Sequence, residues 1–78
     1  MIVITEKEVN RKTGIKTKKT VKTDFMSDWL NALNEWVELH CNNDSIVTTT
    51  VCDTKKKMKI GFTTMVGDFR YRLTVEWC

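Results

Sequence analysis

Seventy-eight residues allow one domain with a thin core, since about 60–65% of an unfolded chain's surface is buried at this size, and leave little room for a deep catalytic cleft. Apolar residues at 41% and charged residues at 29% are the proportions of a folded globular chain, which excludes wholesale disorder. A net charge of +3 does not by itself mark a nucleic-acid binder.

No segment approaches the ~18–20 apolar residues of a membrane span, and the first residues lack the basic start and apolar run of a secretory signal. Three cysteines, Cys41, Cys52 and Cys78, cannot all pair within the chain, which fits a reducing compartment. A soluble protein of the cytoplasm is expected, with no membrane partner. The charge is segregated: Asp24, Asp28, Glu35, Glu38 and Asp44 lie in a stretch without Lys or Arg, and all thirteen basic residues flank it.

The first segment reads as a hairpin of two alternating runs around Asn10-Arg11-Lys12-Thr13-Gly14, where Gly14 supplies the conformational freedom of the loop. Placing Val9 opposite Ile15 sets Val3 against Val21, Glu6 against Lys18 and Glu8 against Lys16. Those cross-strand pairs neutralise much of the basic run.

The next segment is a helix, because Phe25, Met26, Trp29, Leu30, Leu33, Trp36, Val37 and His40 recur at spacings of three and four. Thr23 or Asp24 is its expected cap, and Asp24 and Asp28 suit the positive end of its dipole. At 100° per residue Asp24, Asp28, Glu35 and Glu38 form an acidic ridge opposite Leu33, flanked by Ala32 and Leu39. Asn42-Asn43-Asp44 closes the helix.

A three-stranded meander follows: Ser45 to Cys52, Met58 to Val66 and Phe69 to Trp77. Gly67-Asp68 has glycine where a type II′ turn needs it. Val66 opposite Phe69 sets Thr64, Phe62, Ile60 and Met58 against Tyr71, Leu73, Val75 and Trp77 on one apolar face. The other face then pairs Met65, Thr63, Gly61 and Lys59 with Arg70, Arg72, Thr74 and Glu76. The predicted fold is α+β: a five-stranded antiparallel sheet in the order ββαβββ with one amphipathic helix packed on one face. Strand order is left open.

Catalytic and metal chemistry find no motif. His40 has no activating partner at a recognisable spacing, and His40, Cys41, Cys52 and Cys78 lack the paired spacings of a structural zinc site. Gly14, Gly61 and Gly67 are isolated, so no phosphate-cradling loop is present. No catalytic residue, metal or cofactor is assigned.

Two binding readings remain. The acidic ridge with its apolar border, Asp28, Ala32, Glu35, Glu38 and Leu39, suits a protein partner. Arg11, Lys12, Lys55, Lys56, Lys57, Arg70 and Arg72 suit the phosphates of DNA or RNA through basic loops and the open sheet face. Because the aromatic side chains fall on the core face, away from any base-stacking surface, the expected function is a non-enzymatic protein-binding module. Short chains with divided charge and no catalytic motif are similar, in general type only, to accessory proteins by which phages and other mobile elements block a host protein. That type implies a larger host protein or nucleoprotein complex as partner, for instance an inhibited defence or nucleic-acid-processing complex. A sheet edge also offers itself for homodimerisation.

Overall fold

Strict alternation along the last strand, joined to the one before it by a two-residue turn, sets the frame of the structure. The computed structural model describes residues 1–41, 47–53 and 58–77, arranged as β1 (Ile2–Asn10), β2 (Lys16–Thr23), α1 (Met26–His40), β3 (Thr48–Asp53), β4 (Met58–Val66) and β5 (Phe69–Trp77). The β4–β5 hairpin has the register expected from the sequence, from Val66 opposite Phe69 to Met58 opposite Trp77. Gly67 carries φ of +58° and Asp68 does not share the positive-φ region, the combination that a type II′ turn requires.

All five strands are antiparallel in one sheet, ordered β2-β1-β5-β4-β3. The strands nearest the two chain ends therefore meet in the middle, with β1 paired to β5 from Ile2 opposite Trp77 to Asn10 opposite Phe69. Central strands lose water on one face without needing charge relief. The buried apolar residues are drawn from them: Ile2, Ile4, Leu73 and Val75, completed by Trp36 of the helix.

α1 leads from β2 at one edge to β3 at the other and packs on β1 and β5. Trp29 meets Trp77 edge-on at 5.5 Å between ring centroids, and the His40 ring stacks on Tyr71 at 3.8 Å. The helix thus lies along β5, pinned by an aromatic contact near each end. It begins one residue later than the apolar periodicity suggests. Phe25 is its N-cap, without a side-chain cap, and is 70% exposed. Neither Thr23 nor Asp24 caps it: the Thr23 hydroxyl accepts the Phe25 N–H at 3.1 Å and donates to the Asp28 carboxylate, while Asp24 lies 3.9 Å from the N-terminal ammonium. The Thr23–Asp28 bridge ties the strand end to the first turn, where the Asp28 N–H donates to the Phe25 carbonyl at 3.2 Å.

The helix covers the centre of the apolar face and stops short of its β3–β4 side. Asp28, Asn31, Ala32 and Glu35 line a hollow with Ile4, Glu6, Lys19 and Val21 of β1 and β2. At 100° per residue, Met26, Leu30 and Val37 fall on the opposite flank, toward β4 and β3. Those three residues are exposed, as are Val51, Met58 and Val66 on the sheet beneath that flank. Strand β3 opens at Thr48; the predicted start at Ser45, the Asn42-Asn43-Asp44 terminator and Lys55, Lys56 and Lys57 lie outside the described residues.

Candidate functional site

The first hairpin pairs one residue out of step with the alternation reading, and the difference reorganises the surface. Val9 lies opposite Lys16, not Ile15, so Ile4 faces Val21, Glu6 faces Lys19, Lys7 faces Lys18 and Glu8 faces Thr17. The loop explains the shift. Asn10 Oδ1 accepts the N–H groups of Lys12 and Thr13 at 3.0 and 3.3 Å, an Asx turn that tightens the connection. The Asn10 N–H then reaches the Ile15 carbonyl at 2.9 Å, and Gly14, at φ +77°, completes the turn.

A one-residue slip sends each side chain of a strand to the other face. The expected Glu6–Lys18 and Glu8–Lys16 pairs therefore do not exist. Glu6 and Glu8 point to the helix side, opposite Leu73 and Tyr71 of β5, where the Glu8 carboxylate accepts the Thr17 hydroxyl at 3.4 Å. Val3 and Val9 move to the open face, and Ile15 is left 65% exposed.

The open face consequently gathers cations. One cross-strand row reads Lys18, Lys7, Arg72, Thr63, Thr48; the next reads Lys16, Val9, Arg70, Met65. A third reads Lys22, Val3, Glu76, Lys59, Cys52, with Glu76 the carboxylate of the rows. Like charges placed directly opposite one another cost stability. Lys7 nevertheless lies between Lys18 and Arg72.

Arg72 is held in a defined pose. Its Nη1 donates to Thr63 Oγ1 at 2.8 Å and its Nη2 reaches Thr50 Oγ1 at 3.5 Å. The guanidinium therefore spans β4 toward β3, and it can do so because Gly61 leaves the space free: a Cβ there would lie 2.7 Å from Arg72 Nη2 and 2.9 Å from Thr50 Oγ1. Hydroxyls orient the guanidinium without neutralising it. Beside it is a hollow of about 220 Å³ lined by Lys7, Val9, Thr63, Arg70 and Arg72. At the same end of the sheet the Arg11 guanidinium contacts Met65 Sδ at 3.3 Å, and the Arg11 N–H donates to the Asp68 carbonyl at 2.7 Å. The β1–β2 loop is thereby docked against the β4–β5 turn, and Arg11 extends the basic surface.

Of the residues expected to meet phosphate, Arg11, Arg70 and Arg72 are brought to one region, Lys12 lies exposed in the adjoining loop, and the lysines of the β3–β4 connection are not described. Lys16 and Lys18, candidate phosphate contacts in the sequence, were expected to be paired with Glu8 and Glu6, and Lys7 and the supporting Thr63 and Gly61 were missed. The signal that would have found them is the parity of the hairpin, which the Asx-forming Asn10 decides.

On the helix side, Asp28, Ala32 and Glu35 converge on one hollow of about 230 Å³ with Lys19 and Glu6. Ala32 is half-buried and packs against the core cluster while also lining that hollow beside Asp28 and Glu35. Glu38 and Leu39 are exposed beyond that hollow, Leu39 at 76%. His40 is held between rings, stacked on Tyr71 and edge-on to Trp36 at 6.1 Å. Among the described residues no group of three His, Cys, Asp or Glu side chains is placed to hold a metal ion, and no helix is long and apolar enough to cross a membrane. Comparison with protein-family models, with curated proteins and with solved structures finds no match to this chain.

Proposed function

We propose that the protein is a non-enzymatic module that binds the phosphate backbone of a nucleic acid on its open sheet face, with Lys7, Lys18, Arg70 and Arg72 at the centre and Arg11, Lys12 and Lys16 at the rim. The observation that carries this reading is the like-charge row Lys18–Lys7–Arg72. It is an arrangement that costs folding stability and is relieved by a polyanion. The pose of Arg72 adds to it, since a guanidinium already oriented by two hydroxyls loses less side-chain freedom on meeting a phosphate.

Phe62, Tyr71 and Trp77 share the helix side of the sheet with Leu73 and Val75, so the open face offers charge and hydroxyls without rings on which bases stack. Contacts of this kind position a backbone and read little sequence. A duplex of mixed sequence should therefore bind at least as well as a single strand.

The test is fluorescence anisotropy of a labelled duplex titrated at several salt concentrations. Affinity is expected to fall along a straight line in log K against log salt between about 50 and 200 mM, and a Lys7→Glu, Lys18→Glu double variant is expected to lower the slope by ~0.9 for each phosphate it ceases to neutralise. Absence of any anisotropy change at the lowest salt would discard the reading.

A second reading, a protein partner on the helix side, draws on the exposure of Leu39 beside Glu35 and Glu38. Such a partner could be a host protein or nucleoprotein complex that the chain inhibits by occupying it. It ranks second because Glu6 and Glu8 lie on the helix side, so Lys16 and Lys18 lack the carboxylates expected beside them on the open face. Reversing Asp28, Glu35 and Glu38 to lysine would abolish a nuclease-resistant pull-down under this reading, while the open-face double variant would leave it intact.

A further inference from the structure

The two edges of the sheet are finished differently. Outer strand β2, Lys16–Thr23, exposes Lys16, Lys18, Lys19 and Lys22, the usual defence of an edge against another strand. Outer strand β3 has none of this. Residues 48–52 are Thr-Thr-Thr-Val-Cys, with no charge, no Pro and no positive φ. The pairing with β4 runs without a bulge from Thr48 opposite Thr63 to Asp53 opposite Met58. On its other side β3 has no neighbouring strand among the described residues, so its backbone presents unpaired donors and acceptors.

We propose that a second copy of this chain pairs antiparallel with β3, about a two-fold axis normal to the sheet, to make one continuous sheet with five strands from each copy. This inference stands independently of the nucleic-acid reading. Charge singles out this edge: the cationic rows concentrate on β2, β1 and β5, whereas the open face of β3 and β4 carries Thr48, Thr50, Gly61 and Thr63, with Lys59 its cation. Among the described residues, two copies meeting here bring fewer like charges together than at the β2 edge with its four lysines. Apolar area points the same way. Val51 is 63% exposed on the helix side of β3, beside exposed Met58, and the partner strand would bring its own Val51 onto that shelf.

The symmetry also specifies the register. An axis normal to the sheet keeps each face on its own side, so directly opposed residues must have the same parity. Centring on Thr50 sets Thr49 against Val51 and Thr48 against Cys52, with no charged pair. Centring on Val51 instead sets Thr49 against Asp53. The Thr50-centred register is the one assigned. It places the two copies' β5 strands five strand spacings apart, ~24 Å across the sheet, with both Arg72 side chains on one shared open face.

Sedimentation equilibrium of the full chain tests this, with a dimer expected at micromolar concentration. Val51→Lys should raise the dissociation constant at least tenfold while the far-UV circular dichroism is retained. In a background with Cys41, Cys52 and Cys78 changed to Ser, Thr50→Cys should form an intermolecular disulfide on mild oxidation, because opposed Cα atoms in an antiparallel pair lie ~4.5–5.5 Å apart, within bridging distance. The cross-link decides the matter if Val51→Lys disturbs folding. A wild-type chain that stays monomeric at its highest soluble concentration would overturn the proposal, leaving the edge to a foreign strand. So would a dimer that survives Val51→Lys and gives no cross-link at position 50.

Discussion

The two faces of the sheet are built from the same strands and differ in almost everything else. Toward α1 they carry Ile2, Ile4, Leu73 and Val75, the aromatic rings, and the carboxylates Glu6 and Glu8. Away from it they carry Lys7, Lys16, Lys18, Arg70 and Arg72 among threonines. One face is organised by exclusion of water. On the other, like charges crowd together, and nothing in folding rewards that. The contrast is between a face whose burial accounts for stability and one that sets like charges side by side.

The largest effect expected in breaking this contrast lies in the core. Trp36 is 1% exposed and is the fully buried side chain of the helix, so Trp36→Ala should cost ~3–5 kcal/mol, enough to unfold much of a domain this small. A urea melt measures it, and a loss below about 1 kcal/mol would mean that the helix is not anchored as described. On the open face the sign reverses. The Lys7→Glu, Lys18→Glu variant should keep or slightly raise the melt midpoint, because a carboxylate at position 7 turns the pair with Arg72 into an attraction worth ~0.2–1 kcal/mol while positions 7 and 18 stay alike in charge, and duplex affinity falls. A marked drop in stability would show that these lysines serve the fold.

Gly61→Ala sharpens the comparison further. Alanine in place of a strand glycine ordinarily gains ~0.5–1 kcal/mol. Here the new methyl would sit 2.7 Å from Arg72 Nη2 and must displace it, so unchanged stability with weaker duplex binding is expected. Tighter binding would dismiss the preset guanidinium. The smallest effect belongs to the helix side. Asp28→Asn weakens the interaction with the Thr23 hydroxyl and the favourable charge at the helix N-terminus, for a loss of ~0.3–1 kcal/mol, and should leave duplex affinity unchanged or slightly higher. A large fall in affinity would place the nucleic acid on the wrong face.

Legibility in the sequence followed local constraint. The β4–β5 hairpin was readable to the residue because Phe69–Trp77 alternates strictly and the two-residue Gly67-Asp68 turn fixes its pairing with Met58–Val66. The helix was readable from its stripe, except at its start, where the Thr23–Asp28 bridge replaced the expected cap. The first hairpin was not. Met1-Ile2-Val3-Ile4 is apolar at consecutive positions, so alternation offers two parities, and the choice fell to the Asn10 side chain and to pairing with β5. From that choice came the candidate site. Arg70 and Arg72 were legible because they belong to the unambiguous hairpin, whereas Lys7 and Lys18 depended on the ambiguous one.

Periodicity within single segments was enough for the α+β class, the element order, the acidic helix and the face on which the aromatic rings lie. Three features came only with the assembled sheet: β1 and β5 are neighbours, Glu6 and Glu8 leave the lysines they were expected to neutralise, and β3 ends the sheet as an edge without lysine or arginine. Each of those depends on which distant segments bury apolar surface together, a competition between pairings that no single strand's pattern contains.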